Sequence, residues 1–159
     1  MASSLAKLTV LPSNGFPMLS LLIFLPLVWA VSLSLVRDSR TVPVVTLAGA
    51  VAELGLSLVL LSTFDPDSAG MQMVERATWI PSLNAHYLLG VDGLSVLFLP
   101  LTALLFCGVI LGSWTSIQSM RRLYFALLLV LEAMIMGVFC ALDLMLFFLF
   151  WELTLAPIY

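Results

Sequence analysis

Charge is scarce in this chain. Asp, Glu, Lys and Arg together make up 9% of the 159 residues, against about 25% in an ordinary soluble domain. That shortage rules out a conventional solvated surface. Lysine occurs once, as Lys7, and the six basic residues never form a run, which argues against nucleic acid as a partner. The one histidine, His86, has no partners with which to build a metal site and reads as a structural or solvated loop residue. The two cysteines, Cys107 and Cys140, sit inside apolar runs and read as small packing residues. No CxxC, HExxH, Walker loop or GxGxxG occurs, so no redox, metal or nucleotide signature is present, and no catalytic, cofactor-binding or metal-ligating residue is assigned.

What the chain has instead is apolar surface. Hydrophobic residues are 62% of the sequence. In water they would drive aggregation, whereas a helical bundle in lipid requires them. The expected fold is therefore an all-α integral membrane protein. A spanning helix needs about 20 mostly apolar residues. Five stretches qualify or begin to: Phe16–Val36, Val42–Phe64, Gly93–Trp114, Leu123–Leu142 and Leu144–Tyr159. The expected organisation is an N-terminal segment over 1–15, spans one and two over 16–64, an extracytoplasmic loop over 65–87, and spans three to five over 88–159. Asp65-Pro66-Asp67 stops the second span, and Ala77–Tyr87 is expected to be extended, with Trp79 and Tyr87 at headgroup level. The fifth span rises only about 24 Å against a core of about 30 Å, so the chain is expected to stop inside a helix. A signal peptide is an alternative for the first span, with Lys7 as its basic region, but the apolar run continues well past Ala30.

Arginines set the expected orientation. Arg37 and Arg40 join spans one and two, and Arg121 and Arg122 join spans three and four. Both loops should be cytoplasmic.

An ionisable group at the centre of a spanning helix costs about 2.5–3.5 kcal/mol on insertion scales and asks for a reason. Glu152 lies nine residues beyond Asp143, at a depth of about 13.5 Å, and Glu132 lies eleven before it, at about 16 Å. The hairpin of spans four and five thus places two glutamates at similar depth. A buried carboxyl whose proton affinity changes as a cation approaches or retreats is what a proton relay needs. The bland alternative is a glutamate bonded to a neighbouring Ser, Thr or Trp N–H and serving packing only. Glu53, between Gly49 and Gly55, reads as such a helix–helix contact. Asp92 and Asp143 precede spans three and five and read as helix caps. Pro100 and Pro157 are candidate kinks.

Trp79-Ile80-Pro81, Leu89-Gly90-Val91-Asp92-Gly93-Leu94-Ser95, Leu131-Glu132-Ala133, Gly137-Val138-Phe139 and Phe148-Leu149-Phe150-Trp151-Glu152 with Pro157 together resemble subunit M (chain 4) of proton-pumping NADH–quinone oxidoreductase, respiratory complex I, over residues 79–159. The resemblance implies an N-terminal fragment of a protein with about fourteen spans, two inverted five-helix repeats and kinship with cation/proton antiporters. It implies that Glu152 pairs with a lysine on a later, broken helix. No such lysine is present, since Lys7 is the only one. Glu132 also matches a residue common in bacterial members, whereas nothing is carried over to Glu53. The implied partners are other membrane subunits, the lipid bilayer and protons. Flavin, iron–sulfur clusters and quinone are implied only for the complex, with none in this chain. The implied location is the bacterial inner (cell) membrane. Competing readings are a sodium/proton antiporter subunit, a membrane-bound hydrogenase subunit, a non-pumping assembly or anchor protein and, more weakly, a small drug exporter.

Overall fold

The computed structural model describes residues 17–157 apart from Ala69 and Asn84. The expected N-terminal segment over 1–15, with Lys7, lies outside the described residues, as do Phe16 and Tyr159. Helix α1 covers Met18–Ser32 and continues as a 3-10 turn, Leu33–Leu35. Helix α2 covers Val42–Thr63, α3 Ser95–Ser113, α4 Arg121–Cys140 and the shorter α5 Leu144–Leu155. The first four are long and apolar enough to cross a membrane.

α1 to α4 form a four-helix bundle with sequential helices antiparallel. α1 packs against α2 and α4, α3 packs against the same two, and α5 leans on α4. Large apolar side chains such as Phe24, Val28, Leu101, Leu105 and Phe148 face outward, as helices surrounded by lipid or by other membrane helices do. Inside, the hydroxyls of Thr46, Ser57 and Thr102 donate to Val42, Leu54 and Phe98 carbonyls of their own helices. That local back-bonding spares each a partner on a neighbouring helix. Pro26 and Pro100 lie within continuous helices, while Pro157 falls past the end of α5.

Between α2 and α3 the chain is an antiparallel hairpin, β1 Gln72–Ile80 and β2 Ala85–Val91, joined by a 3-10 turn over Pro81–Leu83. Extended backbone therefore reaches beyond Ala77–Tyr87 in both directions. The boundary expected at residue 88 falls inside β2, because Leu88 to Val91 pair with β1 and the helix begins only at Ser95. Leu88, Leu89 and Val91 make a short apolar run, which periodicity alone does not separate from the approach to a span.

The hairpin holds the helix ends on its side of the bundle. Glu75 on β1 accepts the backbone N–H groups of Leu19 (2.7 Å) and Ser20 (3.1 Å) and also the Ser20 hydroxyl. A carboxylate 55 residues away thus caps the first turn of α1. Ser20 Oγ also bonds the Tyr87 hydroxyl (2.8 Å). Burial, and then the Glu75 charge, push the Tyr87 phenol up, with the Ser20 bond opposing. Met73, at φ 53°, sits in the bulge between Gln72 and Glu75. At the other strand, the Leu142 N–H donates to the Leu88 carbonyl (2.9 Å) and Leu89 bridges to Ala141. Asp143 accepts N–H groups from Met145 and Leu146 at the start of α5 and from His86 on β2. Asp92 accepts the Ser95 N–H at the start of α3 (2.7 Å).

At the opposite end, Arg122 donates to the Arg37 carbonyl, and Arg121 donates to the Ile117 and Trp114 carbonyls beyond α3. Both arginine loops therefore share one end of the bundle.

Close helix contacts use glycine. A Cβ on Gly49 would lie 2.3 Å from the Trp29 ring, whose Nε1–H donates to the Val45 carbonyl (2.6 Å). A Cβ on Gly137 would lie 2.5 Å from the ring of Phe150 on α5, whereas Gly55 meets nothing within 4 Å. Gly49→Val should therefore cost about 1–3 kcal/mol through overpacking, and Gly55→Val should leave stability nearly unchanged. Unfolding by dodecyl sulfate in mixed micelles reads both. Equal effects would contradict the packing described.

The His86 N–H, first, and then the α5 backbone bonds hold the Asp143 carboxyl below its usual range. A depressed folded value means that this stabilisation is complete above the unfolded aspartate value of about 3.9 and is lost as pH falls through the folded one. Asp143→Ala should weaken the first turn of α5 by about 1 kcal/mol at neutral pH and abolish the acid-dependent part. Amide hydrogen exchange at Met145, Leu146 and His86 measures it.

Candidate proton-transfer site

Nearly all polar atoms inside the bundle have partners. Two carboxyl groups stand apart. Glu53 on α2 is 1% exposed and Glu132 on α4 is 0% exposed. All four of their carboxyl oxygens are buried without a hydrogen-bond partner among the described residues. The bland reading required a Ser, Thr or Trp N–H to satisfy them, but those groups are engaged with backbone carbonyls.

The two lie close enough for their charges to interact. The reason is topological. α2 and α4 run in the same direction from the arginine-loop end, and each glutamate follows the first residue of its helix by eleven positions. At helical rise both sit about 16 Å in, near the middle of a core of about 30 Å. Glu53 was expected as a helix–helix contact flanked by small residues. The structure gives the flanking glycines different roles: Gly49 receives Trp29 and Gly55 is open, while Glu53 is buried in the bundle.

Glu152 is elsewhere. It lies on the exposed face of α5, away from the bundle interior, beside exposed Trp151. The expected similarity of depth between Glu132 and Glu152 does not bring them together, because α5 turns Leu146 and Phe150 toward α4 instead. Trp151 stacks on Phe147 along the same helix (6.1 Å between ring centroids).

Several motif residues turn out to be joints. Gly137 receives Phe150, Phe139 stacks on Phe98 of α3 (5.1 Å), and a Cβ on Gly90 would meet Leu142 at 2.6 Å. Asp92 caps α3 through Ser95, a bond that is the main reason its carboxyl lies below the usual range. What remains of the motifs without a structural task is Glu132 and Glu152. Sequence reasoning missed the nearness of Glu53 to Glu132. The available signal was their similar spacing from the two arginine loops, 13 residues beyond Arg40 and 10 beyond Arg122.

Four helices long and apolar enough to cross a membrane, with two carboxyl groups buried among them and a third glutamate on an outer helix face, define a polytopic helical membrane protein. Comparison with known proteins narrows the class. The chain is 36% identical over 143 residues to F(420)H(2) dehydrogenase subunit M of Methanosarcina mazei, covering 90% of this chain and 29% of that protein. It is 44% identical over 148 residues to NADH-quinone oxidoreductase subunit M of Rhodobacter capsulatus, covering 89% and 28%. It is 43% identical over 147 residues to NAD(P)H-quinone oxidoreductase chain 4 of Thermosynechococcus vestitus, covering 91% and 27%. Among solved structures it resembles a chain of respiratory complex I from Thermus thermophilus with bound NADH, with TM-score 0.73 and 28% identity over 87% of this chain and 27% of that one. No protein-family model matches. The chain belongs to the subunit M/chain 4 family of quinone oxidoreductase membrane subunits. It spans less than a third of the length of the curated relatives it matches.

Burying unpartnered carboxyl groups lowers stability, by about 1–3 kcal/mol for each unsatisfied group. Replacing both with methionine, of similar size and apolar, should raise the resistance of the chain to dodecyl sulfate by about 2–6 kcal/mol. Unchanged or reduced stability would mean that the carboxyl groups are well bonded in lipid.

Proposed function

We propose that the chain is part of a proton-translocating membrane subunit of an NADH–quinone oxidoreductase type of complex, and that protons pass through its mid-membrane glutamates. The observation that carries this reading is Glu132: a fully buried carboxyl at mid-depth, within a family motif, with no partner among the described residues. Selection for packing alone would replace such a group with an apolar one. Glu152 serves from the outer face of α5, where it is open to a group on another helix. A cation brought toward either carboxyl favours proton release, and its withdrawal favours proton uptake.

In this reading the other membrane subunits are the partners, and flavin, iron–sulfur clusters and quinone belong to them and to the peripheral subunits. The relatives' names differ in the electron donor, F420H2, NADH or NAD(P)H, which fits a subunit remote from the donor's site. The protein resides in the bacterial cell membrane with its two arginine loops cytoplasmic, as the positive-inside bias favours.

The test is proton translocation by the assembled complex in vesicles. Glu152→Gln and Glu132→Gln should each lower the protons moved per electron, by tenfold or more for Glu152, with the complex assembled in normal amount. An unchanged ratio in both variants overturns the reading. A reduced amount of complex with an unchanged ratio favours the assembly or anchor role.

A further inference from the structure

We infer that Glu53 and Glu132 form one coupled proton site, a carboxyl–carboxylate pair that holds a proton between α2 and α4 at mid-membrane. This deepens the proton-transfer reading and rests on it for the use made of the proton, but the pair can be tested without pumping.

Three observations support the pair. Both residues are essentially inaccessible, and all four oxygens are aimed into the bundle with no hydrogen-bond partner among the described residues. They come from parallel helices at the same distance from the arginine-loop end, and each lies in the other's electrostatic field. Among the described residues, no cationic side chain of the packed helices lies at their depth. α1 carries no titratable side chain, α3 carries only Cys107, within charge range of Glu132, and α5 carries only the exposed Glu152. On α4 the arginines and Tyr124 lie at the loop end, and Cys140 lies toward the hairpin, within charge range of Glu53 and of Glu75 on β1. On β2, His86 and Tyr87 are at the hairpin.

Two carboxylates buried together in a low-dielectric interior repel each other. One proton changes the interaction. One carboxyl then carries the proton on its O–H and the other keeps its charge, which removes the repulsion. Release breaks that O–H bond and leaves two carboxylates. Uptake and release at one residue are thus felt at the other, and the two titrate as a unit. Glu53 therefore enters the site although it lies outside the family motifs.

The experiment is an infrared titration of the chain in lipid nanodiscs, with glutamate carboxyl groups isotopically labelled. It follows the protonated-carboxyl stretch against the Glu53→Gln, Glu132→Gln double variant as background. The wild type should lose its protons in two steps more than about one pH unit apart. Glu53→Gln and Glu132→Gln should each leave a single step, the same acid-side one in both. Should one single variant fail to fold, as judged by helical circular dichroism, the other reads the same coupling. Complementary steps in the two variants that add up to the wild-type curve mean independent sites and overturn the pair, as does a wild-type signal identical to the double-variant background. Coupled steps in a complex whose pumping ignores both Glu132→Gln and Glu152→Gln would keep the pair and remove the proton-transfer reading. Independent steps with pumping lost would do the reverse.

Discussion

The lipid core offers no water to a polar group, and the architecture follows from that constraint. Backbone groups are satisfied within helices. Hydroxyls fold back onto the turn before them, and the Trp29 indole N–H reaches the Val45 carbonyl. Helix ends emerge where carboxylates or arginines can receive them: Glu75, Asp92 and Asp143 at the hairpin end, Arg121 and Arg122 at the other. Against this thorough accounting, two buried acids without hydrogen-bond partners among the described residues are a departure. A bundle that disposes of its other internal polar atoms retains Glu53 and Glu132 at a cost in stability.

Hydrophobicity does not distinguish one helix–helix contact from another in lipid, so close approach and shape must. Glycine opposite an aromatic ring is the recurring solution here. Gly49 takes Trp29, and Gly137 takes Phe150. The second contact also decides which way α5 is rotated. With Phe150 turned inward against α4, Glu152 is carried to the outer face. Packing and the placement of the chemistry are one decision at this helix.

Much of this was legible in the residues. Runs of apolar side chains marked the helices within a few positions, because length and polarity alone set the limits of a span. Asp92 and Asp143 stood where a helix must begin, and local capping is written in adjacent sequence. Three things were not legible. The strand at Leu88–Val91 falls in the stretch assigned to spans three to five, because a buried strand and the approach to a helix share the same apolar run. Glu75 could not be recognised as the cap of α1, since the two are joined only by the folded hairpin. Glu53 and Glu132 are 79 positions apart, and their meeting depends on which helices are parallel and how each is rotated. Depth follows from counting residues, whereas azimuth follows from packing, which a single sequence does not disclose.

The stitching of the α4–α5 turn to β2 has a mechanical consequence. Leu142 and Leu89 join the turn to the strand, and Asp143 grips the His86 backbone and the first turn of α5 with the same carboxylate. A helix held by its backbone at one end and by Phe150 along its side cannot swivel freely. Torque applied to the hairpin from outside the bilayer would be delivered along α5 as along a shaft, to a glutamate about 13.5 Å farther in.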